Sequence, residues 1–246
     1  MTSAVLFQIS PYVAILIFTG GMIVRYLMMR NGPPGRAPSL HHNGTLSSGV
    51  RFLEISLFSL ILGHIGGLLF PQWLIQWNSA AVRLYMLEAL ALGFAILALV
   101  GWALAMWHHL SRSDGSIASQ AADAIFLSLL FTMLFSGALI AVLFRWGSSW
   151  GALTLTPYAL SLLRGRPAVD LIADMPFLVQ LHVFAAFATV ALLPATRIAP
   201  ILAAGFSRAV RVMSTLVRSS IEPFRRPLET LVQRLNLASR IWPEED

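Results

Sequence analysis

Six histidines and no cysteine occur among the 246 residues. Without thiols there is no disulfide, no thiolate nucleophile, no cysteine-held zinc and no iron–sulfur cluster bound by this chain. Imidazole is left as the good ligand for a soft metal or a haem iron. His64 and His182 lie inside long apolar segments, whereas His41, His42, His108 and His109 lie in polar stretches where imidazole is ordinarily just solvated. The other ionisable residues of the apolar segments are Glu54 and Glu88, with Asp123 near an end. Charged groups inside a bilayer are costly, so each is a functional candidate. Glu88 reads first as a buried, protonated hydrogen-bonding group and second as part of a proton path. Asp123 reads as a residue favoured by the dipole at a helix N-terminus.

The elements that position these groups follow from composition. Hydrophobic residues make up 57% of the chain and charged residues 11%, with a mean hydropathy of +0.74. A soluble domain carries about 25% charged residues, so much of this surface faces lipid. A helix crosses the roughly 30 Å apolar core of a bilayer with about 20 residues. Five segments qualify: about Val5 to Met28, Gly49 to Phe70, Val82 to Trp107, Ala122 to Phe144 and Pro176 to Ile198. The first lacks the basic start and small-residue cleavage site of a secretory signal and is read as a retained span. The apolar stretch from Pro157 to Leu163 is too short to cross and is expected along the membrane surface.

The fold class is therefore all-α: an integral membrane bundle of five transmembrane helices, residues 1–204. Residues 205–246 form a basic amphipathic tail in which Arg208, Arg211, Arg218, Arg225, Arg226, Arg234 and Arg240 interleave with apolar residues, broken at Pro223 and Pro227. The tail suits either anionic lipid or a soluble partner. The net charge of +6 comes wholly from arginine, and in a membrane protein it marks loop orientation rather than nucleic acid. With the N-terminus outside, 13 of the 17 arginines fall inside and four (Arg83, Arg145, Arg164, Arg166) outside. The positive-inside rule thus predicts a periplasmic N-terminus and a cytoplasmic C-terminus.

In this orientation His64 lies about two turns from the outer end of the second span, and His182 about two turns into the fifth. Two imidazoles at one depth on different helices are what bis-histidine haem ligation needs. Gly63, Gly66 and Gly67 flank His64. Small residues let a flat macrocycle approach the backbone, though glycines also serve helix packing. The competing reading gives both histidines packing roles only.

The chain resembles the gamma subunit of respiratory nitrate reductase, a five-span cytochrome b that anchors its enzyme in the membrane. Pro11-Tyr12 and Arg25-Tyr26 carry the likeness in the first span; Gly63-His64, Gly67, Pro71 and Trp73 carry it in and after the second. Ala122-Asp123 opens the fourth and Leu181-His182 lies in the fifth. The likeness runs in order over about residues 8–200, and the tail after Gly205 lies outside it.

The resemblance implies a quinol-oxidising electron-transfer subunit in a bacterial inner membrane, working with soluble iron–sulfur and molybdenum subunits or another electron-transfer subunit. His64 and His182 match the family's outer-haem ligands, with Gly63 and Gly67 beside them. Arg83 matches a basic residue implicated at the quinol site. The family's inner-haem ligands fall here on Glu54 and Pro200. Proline offers no side-chain ligand, so one haem b is expected instead of two. Ten residues, about 15 Å of helix, separate Glu54 from His64. Across that gap a partner must supply the missing centre, or quinone binds on the inner side, or electrons leave outward. Cytochromes of sulfur-metabolising and heterodisulfide-reductase-like complexes also resemble this family, so nitrate need not be the substrate. The alternative function is a redox-inactive structural anchor or assembly subunit.

Overall fold

The computed structural model describes residues 2–31, 48–110, 117–200, 205, 207–208, 210–223, 227 and 230. His41 and His42 lie outside the described residues. The described residues form helices joined by short turns, with no strand among them, and five helices are long and apolar enough to cross a membrane. The protein is a multi-pass membrane protein.

Each spanning helix buries one stripe and leaves the rest to lipid. In α1 (Thr2–Asn31) the inward residues are Phe7, Pro11, Ala14, Phe18, Gly21 and Arg25, spaced alternately by four and three. That spacing keeps one face turned to the bundle. The opposite face carries exposed Leu16, Ile23 and Met28, as expected where the solvent is hydrocarbon. Helix α2 (Ser48–Leu69) packs on α4 (Ala81–Leu110), α4 on α5 (Ile117–Leu143), α5 on α8 (Phe177–Leu192), and α8 on α1. Helices α2 and α8, which carry the two histidines, are not packed directly along their lengths.

Two crossings are tight because a glycine is present. A Cβ on Gly101 of α4 would stand 2.5 Å from the Leu53 backbone nitrogen of α2. A Cβ on Gly21 of α1 would stand 2.8 Å from Pro194. Small residues are the usual device for close helix approach in a membrane, where apolar burial alone gives no preference for protein over lipid.

The connections at one end are helical as well. After Phe70, α3 (Pro71–Trp77) turns the chain toward α4, with proline at its first position where no amide bond is lost. Helix α6 (Gly147–Leu163) starts ten residues before the apolar stretch expected to lie on the surface, and it packs on α2, α3, α4 and α7 (Asp170–Ala173). It ends in a Schellman motif. Gly165 takes φ +68, Arg166 N donates to Ser161 O at 3.1 Å, and Gly165 N donates to Leu162 O at 3.0 Å. Tyr158 of α6 is buried and donates to Phe7 O at 2.8 Å, and Tyr12 donates to Leu162 O at 2.9 Å. Burial, and next the neighbouring Tyr12, push the Tyr158 hydroxyl up to about 12.

At the opposite end α8 gives way to a 3-10 turn, α9 (Leu193–Ala195), whose Pro194 cannot continue an α-helix. Arg25 of α1 donates to Pro194 O and Thr196 O at 3.0 and 2.9 Å. Asp123 is fully buried and accepts from the Arg197 amide at 2.9 Å and Arg197 Nε at 2.7 Å. Asp123 lies almost two turns inside α5, so its role is to receive this segment rather than to complement a helix terminus. Ala204–Asp246 is a separate compact unit whose described part is helix, with Val212, Met213, Leu216 and Val217 exposed within it.

Candidate functional site

His64 and His182 come together: their ring centroids are 6.3 Å apart and the ring planes differ by 27°. His64 sits five residues before the end of α2 and His182 five residues after the start of α8, which gives them a common depth. His64 is exposed at the bundle edge and His182 is half-buried.

Both rings are held by the same nitrogen. His64 Nδ1 lies 2.7 Å from Leu60 O, one turn back on its own helix. His182 Nδ1 lies 2.9 Å from Met133 O of α5, with Ser136 Oγ at 3.2 Å. A carbonyl oxygen only accepts, so each Nδ1 donates. The neutral tautomer that satisfies both bonds leaves each Nε2 with its lone pair. Among the described residues neither Nε2 has a hydrogen-bond partner. Two oriented imidazoles with free Nε2 atoms are a suitable pair for two opposite positions of one metal ion. No group of three or more His, Asp or Glu gathers among the described residues; a haem iron asks the protein only for axial ligands.

Helix α5 supplies what the sequence reading lacked. Met133, Ser136 and Gly137 are spaced i, i+3 and i+4, so all three face His182. A Cβ on Gly137 would stand 2.9 Å from His182 Cε1, so glycine here is a requirement of the ring's position. The Ser136-Gly137 pair inside an otherwise apolar span was the available signal. The glycines near His64 divide differently. Gly63 and Gly66 border open space, whereas a Cβ on Gly67 would meet Leu74 of α3 at 3.3 Å. Gly67 therefore has a packing reason of its own.

Arg83 stands at the start of α4. Its Nε donates to Trp77 O at 2.9 Å, and its Nη2 to Ser79 Oγ at 3.1 Å and Gln76 O at 3.4 Å. The guanidinium also lies 5.5 Å from the Trp77 ring centroid. It closes the C-terminal end of α3, where carbonyls lack amide partners. Nearby, Asn78 Nδ2 donates to Ser148 and Ser149 of α6, each at 3.0 Å, and Ser148 Oγ reaches Glu88 Oε1 at 3.4 Å.

Glu54 is half-buried in the other half of α2. Around that level a continuous apolar cluster of Leu53, Leu57, Ala98, Phe126, Leu127 and Leu130 draws in Trp102, Leu192, Leu193 and Ile198. The space is closed by side chains from four helices and the segment after α8.

The sequence pattern of the family described as nitrate reductase gamma subunit matches residues 3–219. The chain is 26% identical over 205 residues to the nitrate reductase gamma chain of Bacillus subtilis, covering 80% of this chain and 90% of that one. It is 22% identical over 209 residues to the respiratory nitrate reductase 2 gamma chain of Escherichia coli, covering 83% and 92%. The family match passes Gly205, so the likeness extends into the first part of the tail. A match across nearly nine-tenths of the sequence decides the matter: the chain belongs to the nitrate reductase gamma subunit family.

Proposed function

We propose that this protein is a membrane-anchoring haem b subunit that carries electrons between the quinone pool and partner redox subunits of a respiratory oxidoreductase. His64 and His182 would hold the haem iron in this reading. The observation that carries it is the pair's geometry. An imidazole nitrogen binds a first-row metal ion at about 2.0–2.1 Å and lies roughly 1.1 Å from its ring centre, so two imidazoles facing across one ion have centroids about 6.3 Å apart. The separation of 6.3 Å agrees with that span. The Nδ1 bonds to Leu60 O and Met133 O support it further, because they aim the free nitrogens and keep the rings from turning.

The bound group would supply one-electron chemistry. The chain's own contribution is to hold the two rings at a fixed depth, to leave α2 and α8 apart where a planar group would sit, and to exclude water with lipid-facing apolar surface. Arg83 belongs to the quinol end of this proposal: Nη1 remains for a quinol oxygen once Nε and Nη2 have closed α3. The apolar packing around Glu54 supports a single haem per chain, since a second macrocycle there would have to displace the cluster centred on Leu53, Leu127 and Leu130.

Orientation and partners follow as parts of the same proposal. The arginine distribution supports a bacterial inner-membrane protein with periplasmic N-terminus and cytoplasmic C-terminus. Family membership supports iron–sulfur and molybdenum subunits, or another electron-transfer subunit, as partners. The test is optical. His64→Ala and His182→Ala should each abolish the reduced low-spin haem spectrum of the purified protein, because bis-histidine ligation needs both rings. A normal spectrum in either variant would show that the two histidines serve packing alone.

A further inference from the structure

Glu88 is on the inward stripe of α4, in line with Leu84, Leu92 and Ala95. It lies seven residues from the start of α4 at Ala81, about 10 Å into the helix. His64 and His182 are each five residues from their helix ends on the same side of the bundle. By residue count the carboxyl and the two imidazoles therefore lie within about one helical turn of one another in depth, on three different helices.

Glu88 is joined to the bundle end by polar side chains only. Its Oε1 is 3.4 Å from Ser148 Oγ, and that hydroxyl accepts from Asn78 Nδ2 at 3.0 Å; the same amide donates to Ser149. Trp146, the residue before α6, has φ +63, an uncommon backbone for a non-glycine residue, and from that turn α6 presents Ser148 and Ser149 to Asn78. Asn78 Oδ1 is enclosed and has no hydrogen-bond partner. A buried acceptor left open costs about 1–3 kcal/mol, and a donor supplied by water removes that cost.

We propose that Glu88, Ser148 and Asn78 form a proton-release path, with Glu88 as the group that takes the proton from quinol. The proposal rests on the quinol-oxidising reading above. Each one-electron step breaks a quinol O–H bond. The electron would go to a haem held by His64 and His182, and the proton goes to the Glu88 carboxylate. From there it passes through the Ser148 hydroxyl, which can both give and accept a proton. A water on Asn78 Oδ1 then hands it to the aqueous side at the α3 and α6 end. Two such steps, the first electron being passed on to a partner redox subunit before the second step, convert quinol to quinone, and the two protons leave on the side from which α4 starts.

The experiment uses the full haem-loaded protein in liposomes, with a soluble quinol as reductant and haem reduction followed across pH. In Glu88→Gln, haem content and spectrum should match the wild type while quinol-driven reduction falls at least tenfold. Glu88→Asp should restore part of the rate. Ser148→Ala, a smaller change, should slow reduction in the same direction. A separate readout is the redox-induced infrared difference spectrum, which should contain a carboxyl band that Glu88→Gln removes. Wild-type rate and pH profile in Glu88→Gln, with the carboxyl band retained or absent from the wild type, would overturn the path. Failure of the wild type itself to accept electrons from quinol would overturn the quinol reading, and the path with it.

Discussion

At the residue scale the site is a matter of orientation. Any histidine can offer a nitrogen, but here Leu60 O and Met133 O each engage Nδ1 and so leave Nε2 as the nitrogen with a lone pair. Depth counting along two apolar segments was enough to pair His64 with His182. Met133 acts through its backbone, which no sequence pattern displays, and Ser136 and Gly137 acquire meaning only once α5 is known to pack on α8. The proposed role of Gly137 has a direct consequence. In Gly137→Ala the new methyl meets His182 Cε1 at 2.9 Å, so the ring must shift by a few tenths of an ångström. In Gly137→Leu it must leave its position. Haem per purified chain should stay near the wild-type value in the first variant, with an altered low-spin spectrum, and fall by tenfold or more in the second. Full haem content in Gly137→Leu would remove Gly137 from the site.

At the element scale, apolar length and breakers foretold the five spans to within a few residues, because a bilayer leaves the backbone no option but to bond within the helix. The connections were less legible. Gly147-Ser148-Ser149 reads as a loop, yet it opens α6, since Asn78 satisfies both hydroxyls. The second span stops just before Pro71, as its sequence suggests, and Pro71 then starts the further helix α3. Asp123 read as a dipole partner because its true partner, Arg197, is 74 positions away in sequence. That pair ties α5 to the segment after α8, while Arg25 ties α1 to the same segment. Removing one member of a buried ion pair leaves the other uncompensated. Arg197 is 40% exposed, which softens the loss when Asp123 is the member removed. Arg197→Ala, which leaves the buried Asp123 carboxyl without its counter-charge, should therefore destabilise the protein by about 3 kcal/mol, and Asp123→Ala by about 2 kcal/mol. Thermal unfolding in detergent checks the order, and equal midpoints for Asp123→Ala and wild type would contradict it.

At the scale of the whole molecule, membrane class was legible from composition alone, because a chain with 11% charged residues cannot cover itself for water. Sidedness rests on arginine placement and predicts that reporter fusions after Phe70 and between Trp146 and Ala173 report a periplasmic location. Fusions after Arg30 should report a cytoplasmic one. The opposite pattern would invert the molecule and place the histidine pair near the cytoplasm. The expectation of one haem came from a substitution, Glu54 and Pro200 standing where the resembled family has ligands. The physical counterpart, an apolar core closed around Leu53, Leu127 and Leu130, needed the packed bundle. Both rest on one claim, that this chain holds a single haem between His64 and His182. Haem extracted per mole of purified chain, with its redox titration, tests that claim most directly. The account predicts a value near one with a single midpoint. A value near zero would make the protein an anchor without redox function, and a value near two would mean that a second haem occupies the half of the bundle around Glu54.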